Sequence, residues 1–548
     1  MTRIFFSPPF QGRGRGWVRG EAELAAPAAK QRPSRQTPPS PLMGEGYGDL
    51  AAMPPSRSWM GVMFGEWLDA EHHPHPAPTK ARQEADLSLR NLPPSRGKEV
   101  RRRISSFSGA ITAFLLLLLA TPAHAQRARD IGVPFEGTPG PLNAITDVPG
   151  VEVGQVSIIS GEGPLVIGKG PVRSGVTAIF PRGKANPAPV YGGTFNLNGN
   201  GEMTGLAYLQ DFGVVQGAIG ITSTNAIGQV YAGIQKWHQK HFGDATFPVV
   251  AETWDGWASD INGFHVTEQT AMAALDGAKG GAVDEGAVGG GTGMLCFGFK
   301  GGIGTASRRI EVAGKPYTVG VLVQCNTGDR KVLRIAGAPV GPALSKRWLP
   351  CYDPKLSPAD KMPKCAGEAV AGEVPPDSGS IIIIVATDAP LMPVQLNRVA
   401  KRAALGLARL GAYSGNSSGD IILAFTTAPA QVNHPDQTAP SPIAVLANAP
   451  INPLFQATVE ATEEAIVNAM VAAKTMTGAN GYRMFALPHE ELRTLLKSYG
   501  RLNSSPERGG GPAKPVEGQG TRSRTSSPSP APPPHASRAV PLPVPGRN

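Results

Sequence analysis

The chain has 548 residues, 52 Lys and Arg against 42 Asp and Glu for a formal net charge of +10, and four cysteines. The positive excess lies outside the middle: residues 126–500 carry 29 basic and 30 acidic side chains, which argues against a nucleic-acid partner. No C-x-x-C, H-E-x-x-H or P-loop occurs and no His/Cys cluster suggests a metal site, so neither a metal nor another cofactor is expected.

Residues 1–100 are rich in Pro, Gly, Arg and Ser and hold no sustained apolar period. They read as a disordered extension, or as sequence upstream of the true translation start. Arg101, Arg102 and Arg103 then precede "AITAFLLLLLATPAHAQ". The apolar run is shorter than the roughly 20 residues a membrane-spanning helix needs. It fits a signal peptide over 101–125, with Ala123-His124-Ala125 as cleavage site and a mature chain from about Gln126. A periplasmic or secreted protein without a stable membrane anchor is expected. Residues 501–548 are again basic and Pro/Ser-rich and read as a disordered tail.

Strand patterns dominate the next stretch: "VEVGQVSII", "SGVTAIFP", "GAIGITST" and "YTVGVLVQCN", separated by glycine-rich turns. "HVTEQTAMAALDGAKGG" has helical spacing and a terminal glycine. Cys296 and Cys325 sit in apolar runs and read as buried, unpaired hydrophobes, whereas Cys351 and Cys365 bracket a polar loop that a disulfide could close. The isoleucine run from Ile381 reads as a buried strand. "PVQLNRVAKRAALGLARLG" then forms an amphipathic helix closed by Gly411, followed by the strand "SGDIILAFTTA" and a second long helix over "PLFQATVEATEEAIVNAMVAAKTMTG". Mixed strands and helices without regular βαβ repetition point to an α+β fold, a four-layer αββα sandwich.

The familiar catalytic templates are missing. There is no G-x-S-x-G nucleophile elbow between a strand and a helix, and "GGGTGM" lacks the strand–turn–helix context of a dinucleotide site. No histidine lies in a Ser/His/Asp arrangement. A serine can be activated differently when it becomes a chain terminus, because its own α-amine then serves as base. Ser380, after "VPPDSG" and before the isoleucines, fits that scheme. Self-cleavage suits a small residue before the nucleophile, and Gly379 fits.

The segments "RARDIGVPFEGTPGPLNAITDVPGVEVG", "VAETWDG", "GAVGGGTGMLCFGFKGGIGTASR", "VLVQCNTGDR", "GSIIIIVATDAP" and "SGNSSGDIILAFTTA" together resemble the self-processing aminopeptidases. That family includes L-aminopeptidase/D-Ala-esterase/amidase and the β-peptidyl aminopeptidases. The resemblance spans about Arg127 to Leu496 in family order. It implies the αββα fold shared with ornithine acetyltransferase and convergent with N-terminal-nucleophile hydrolases. It also implies cleavage between Gly379 and Ser380 into an α chain, 126–379, and a β chain, 380–500, assembled as a homotetramer of αβ units. Ser380 would be the nucleophile, supported by Ser418 and Asp420. Asn326 would donate to the oxyanion, and Glu252 would pair with the substrate's α-ammonium. Trp254 stands where relatives carry Tyr as a second oxyanion donor. Residues 347–373 look like an insertion that gates the pocket, restricts substrate length, or is a plain solvent loop.

Taken singly, each of these residues is ordinary: a turn serine, a strand-end Asn, a surface Glu. Jointly they predict an exported serine aminopeptidase or amidase. Its substrates would be short peptides, amides or esters with L-residues, D- and β-residues being left open. The alternatives are an acyltransferase of the related fold, against which a Ser rather than Thr nucleophile argues, and an unprocessed binding protein.

Overall fold

The computed structural model describes residues 126–503 except 245, 346, 357–362, 366–378, 429–437 and 441. The expected extension, signal peptide and C-terminal tail lie outside the described residues, as does much of 347–373.

The strands in chain order are β1 (Glu152–Ser160), β2 (Val172–Phe180), β3 (Val190–Gly199), β4 (Val214–Val215), β5 (Ile219–Ser223) and β6 (Val249–Thr253). A short hairpin, β7 (Leu295–Cys296) and β8 (Phe299–Lys300), leads into β9 (Gly302–Val312) and β10 (Lys315–Asn326). β11 (Ser380–Thr387) and β12 (Gly419–Thr426) follow. The main helices are α1 (Ile227–Phe242), α2 (Glu268–Asp276), α3 (Pro393–Arg409) and α4 (Asn452–Val471). One sheet has the order β1-β2-β5-β6, the other β4-β3-β12-β11-β10-β9. Most neighbours are antiparallel. β5–β6 and β11–β12 are parallel, with α1 and α3 as their crossovers, so two βαβ units are embedded in a mostly antiparallel fold.

Three apolar layers hold this together. Ile179, Ile221 and Ala251 of the first sheet meet Leu322, Ile382, Ile384 and Leu423 of the second. The first sheet's other face, with Val176, Ala178 and Val250, packs on Val230, Ile234 and Trp237 of α1 and Ala271 and Leu275 of α2. The second sheet's other face, with Val321, Ile381, Ile383 and Ile422, packs on Leu396, Val399 and Ala403 of α3 and Ala465 and Ile466 of α4. This is the αββα sandwich. A strand between two apolar layers must be apolar on both faces, which is why the isoleucines are consecutive rather than alternating with polar residues.

Three local readings change. α1 carries its apolar residues at helical spacing, but Gly228 and Gly233 weaken its propensity, and sequence reading passed over it. α4 ends at Val471, short of Gly478, because Met476–Thr477 pair with Arg483–Met484 as a small ladder. Cys296 and Cys325 are buried, but they are disulfide-bonded rather than unpaired, since the fold brings their Cα atoms within 5.4 Å. Cys351 and Cys365 are also joined.

Candidate active site

The antiparallel register of β10 and β11 sets Asn326 opposite Ser380. On the other side, β12 runs parallel and sets Asp420 opposite Ile381. The end of one strand and the starts of two others therefore meet at one edge of the sandwich. The Gly419 N–H donates to Ser380 Oγ at 3.1 Å. Ser418 Oγ donates to Asp420 Oδ1 at 2.7 Å, so its one proton is spent there. The Thr327 hydroxyl, 3.3 Å away, is then the donor to Ser418. Ser418 and Asp420 are fully buried, while Ser380 and Asn326 retain slight exposure.

The amide of Asn326 has a fixed orientation. Its Oδ1 accepts from the Leu295 N–H at 2.8 Å, and its Nδ2 donates to the Trp254 carbonyl at 2.9 Å. A flipped amide would set donor against donor and acceptor against acceptor. Nδ2 keeps a second N–H, which has no acceptor among the described residues.

Gly379 lies against the backbone on the same side. A Cβ there would fall 1.8 Å from the Asn326 carbonyl oxygen and 2.8 Å from Thr327 Cα. Only glycine lets the bond before Ser380 run this close to Asn326.

Glu252, near the end of β6, is 4% exposed and accepts from the Glu202 N–H at 3.1 Å and from the Thr224 hydroxyl. Burial raises its pKa, against the two hydrogen bonds. A Cβ on Gly201 would lie 3.1 Å from Glu252 Oε1 and 3.3 Å from Gly419 Cα, so this one glycine separates the carboxylate from the residue that bonds Ser380. Trp254 is 38% exposed, and its ring stands edge-on to Trp257 with the centroids 5.1 Å apart. The observed contribution of Trp254 to the site is its backbone carbonyl rather than an indole N–H.

Ser380, Asn326, Ser418, Asp420, Glu252 and Trp254 thus gather in one place. Sequence reading passed over Thr224, Leu295, Thr327 and Gly419. Thr327 and Gly419 adjoin named residues, and that adjacency was the available signal. Thr224 and Leu295 are placed by tertiary structure alone. His238, His241, His265 and His489 are bonded elsewhere, to Asp244 O, Trp237 O, Asp260 and Val471 O respectively. Among the described residues no group of His, Cys, Asp and Glu side chains converges as metal ligands would. No described helix is long and apolar enough to cross a membrane. A cavity of about 710 Å³ lined by Val471, Thr475, Leu487 and His489 contains none of the site residues, and it lacks their convergent chemistry.

The model of peptidase family S58 matches residues 143–484. The chain belongs to peptidase family S58. Similar S58 relatives include the β-peptidyl aminopeptidase BapA of Sphingosinicella microcystinivorans, 52% identical over 395 residues, covering 72% of this chain and 97% of the relative. The BapA of Sphingosinicella xenopeptidilytica is 45% identical over 415 residues, with the same coverage. Among solved structures, the L-aminopeptidase D-Ala-esterase/amidase of Ochrobactrum anthropi, a variant of the N-terminal-nucleophile hydrolase fold, matches with TM-score 0.61 and 42% identity. That match covers 69% of this chain and 99% of the other. A Burkholderia sp. β-aminopeptidase matches with TM-score 0.59 and 40% identity, over 68% and 99%. This S58 peptidase is therefore a hydrolase with the α+β sandwich of that group.

Proposed function

We propose that the protein is an exported serine aminopeptidase that activates itself by cutting between Gly379 and Ser380. The observation that carries the proposal is the register: Ser380 faces Asn326 across the strand pair, with the preceding peptide in a space that admits only glycine. In self-cleavage, Ser380 Oγ attacks the Gly379 carbonyl carbon and the C–N bond breaks, giving an ester and a free α-amine on Ser380. Water then hydrolyses the ester, leaving an α chain that ends at Gly379 and a β chain that starts at Ser380. The signal peptide at 101–125 belongs to the same proposal, as does assembly into a homotetramer.

In turnover, the Ser380 α-amine takes the hydroxyl proton as Oγ attacks the substrate carbonyl. The second N–H of Asn326 donates to the oxygen that becomes negative, a contact worth roughly 10²–10³ in rate. The amine product leaves with the proton, and water releases the acyl group. Ser418, bonded to Asp420 and Thr327, keeps the polar surroundings of the nucleophile in one arrangement. Glu252 receives the substrate's α-ammonium, which restricts the enzyme to free N-termini. The names of the two Sphingosinicella relatives favour β-amino acids among the residues released, beside L-residues.

A denaturing gel with mass spectrometry tests the first step. The mature wild type should run as two chains joined at Gly379/Ser380 in the precursor, and Ser380→Ala as one. Amine release from aminoacyl p-nitroanilides and β-dipeptides tests the second. A wild type that stays a single chain refutes self-processing, and a cleaved protein inert on all free-amine substrates refutes the aminopeptidase.

A further inference from the structure

The disulfide Cys296–Cys325 lies beside Asn326 in a way that burial alone does not require. We infer that Cys296 and Cys325 are positioning residues, whose bridge sets the direction of the Asn326 N–H that faces the substrate. This rests on the proposed aminopeptidase reading. Cys325 directly precedes Asn326 at the end of β10. Cys296 directly follows Leu295, the residue whose N–H holds Asn326 Oδ1. The covalent bond thus ties together the two chain segments that make the orienting hydrogen bond, one residue from each end of it.

The other ties between those segments are non-covalent. β7 and β8 are two residues each, paired Leu295 with Lys300 and Cys296 with Phe299. Such a ladder is too short to be stable alone. The connecting turn is held by the Phe297 N–H, which donates to the Thr327 carbonyl at 2.6 Å, and by Arg330, which donates to the Phe297 carbonyl at 3.2 Å and to the Gly298 carbonyl. On the far side, Lys300 Nζ gathers the carbonyls of Gly291, Met294 and Gly301, drawing the glycine-rich approach together without touching Asn326. The bridge is the covalent element of this support, and both cysteines are fully buried.

The chemical consequence follows from the amide's two ends. With Oδ1 held by Leu295 and one N–H by Trp254, the other N–H points one way. If Leu295 drifts, the amide can rotate and the donor loses its aim. Oxyanion donors act only when held within about 0.5 Å of the productive position. The effect belongs to the transition state, so kcat should fall while substrate binding does not.

The test uses the mature protein carrying Cys296→Ala with Cys325→Ala. Cys296→Ala alone is run beside it, since it opens the same bridge with the least change in packing if the double variant does not fold. Steady-state hydrolysis of a free-amine p-nitroanilide should show kcat reduced tenfold or more, with KM within about threefold of wild type. The same substitutions are then made on Asn326→Ala. Bridge loss should cost nothing further in kcat there, because the donor it aims is gone. Folded bridgeless variants that keep wild-type kcat overturn the inference, as does an equal loss in the Asn326→Ala background, which marks a merely structural role. If the wild type itself releases no amine, the aminopeptidase reading falls first and carries this inference with it.

Discussion

Glu252 is a carboxylate that its surroundings hold back from ionising. Burial pushes its pKa up, while the Thr224 hydroxyl and the Glu202 N–H pull the other way. An arriving ammonium supplies the countercharge that the interior lacks. A hydrogen bond to a charged partner contributes about 1.5–3 kcal/mol, so Glu252→Gln should raise KM for free-amine substrates roughly ten- to a hundredfold, with a smaller change in kcat. The pH dependence has a definite sign. Protonated Glu252 cannot pair with an ammonium, so kcat/KM should fall as pH drops through its pKa. That acid limb should lie above the ordinary carboxylate range, add to the limb set by protonation of the Ser380 α-amine, and be lost in Glu252→Gln, which keeps only the amine's limb. An unchanged KM together with an unchanged acid limb would remove Glu252 from substrate recognition. The sequence offered Glu252 as a family position; its partner Thr224 had no signal, because a threonine just past the end of β5 is brought to Glu252 only by the parallel pairing of β5 with β6.

The element that organises the site is β11, whose eight residues are all buried. Its isoleucines divide by strand alternation: Ile382 and Ile384 fill the space between the sheets, and Ile381 and Ile383 fill the layer under α3 and α4. Packing on both faces fixes the register, since a slip of one residue would exchange the two sets. That register is what holds Ser380 opposite Asn326. Ile383→Ala should cost about 2–5 kcal/mol, read as a lowered urea midpoint with an unchanged slope. A loss below 1 kcal/mol would mean that the layer collapses around the gap and that β11 is held by other means. The strand itself was legible as an apolar run after a polar turn. Its partners were not, because β10 lies earlier in the chain, β12 lies beyond a helix, and pairing leaves no mark in either strand's own composition.

At the scale of the whole molecule, the start of the described chain is tied into the interior by charge. Arg127 pairs with Glu285, and Arg129 and Arg308 both pair with Glu464, which is fully buried on α4. Burial alone would raise the Glu464 pKa, but Arg308, Arg129 and Arg127 together outweigh it and bring it down to about 2. A carboxylate depressed in the fold stabilises it above the unfolded pKa of about 4.3, and that stabilisation is lost as pH falls toward the folded value. Glu464→Gln leaves Arg308 buried with one fewer countercharge, so it should destabilise by about 3–5 kcal/mol near neutral pH. The gap from wild type should close between about pH 5 and pH 2 in urea titrations. A gap independent of pH would show that shape rather than charge decides this position.

The amino-acid sequence by itself determined which segments are apolar enough to be buried, where α3 begins and ends, and that a serine stands directly before a buried strand with glycine behind it. Those are local facts, carried by periodicity, by Pro393 and Gly411, and by one short turn. Tertiary structure alone decided that Cys296 bonds Cys325, that Leu295 holds the amide of Asn326, and that Trp254 enters the site through its carbonyl. Each of these depends on which strand end meets which loop. That is fixed only when three apolar layers close at once, and no single segment carries the information.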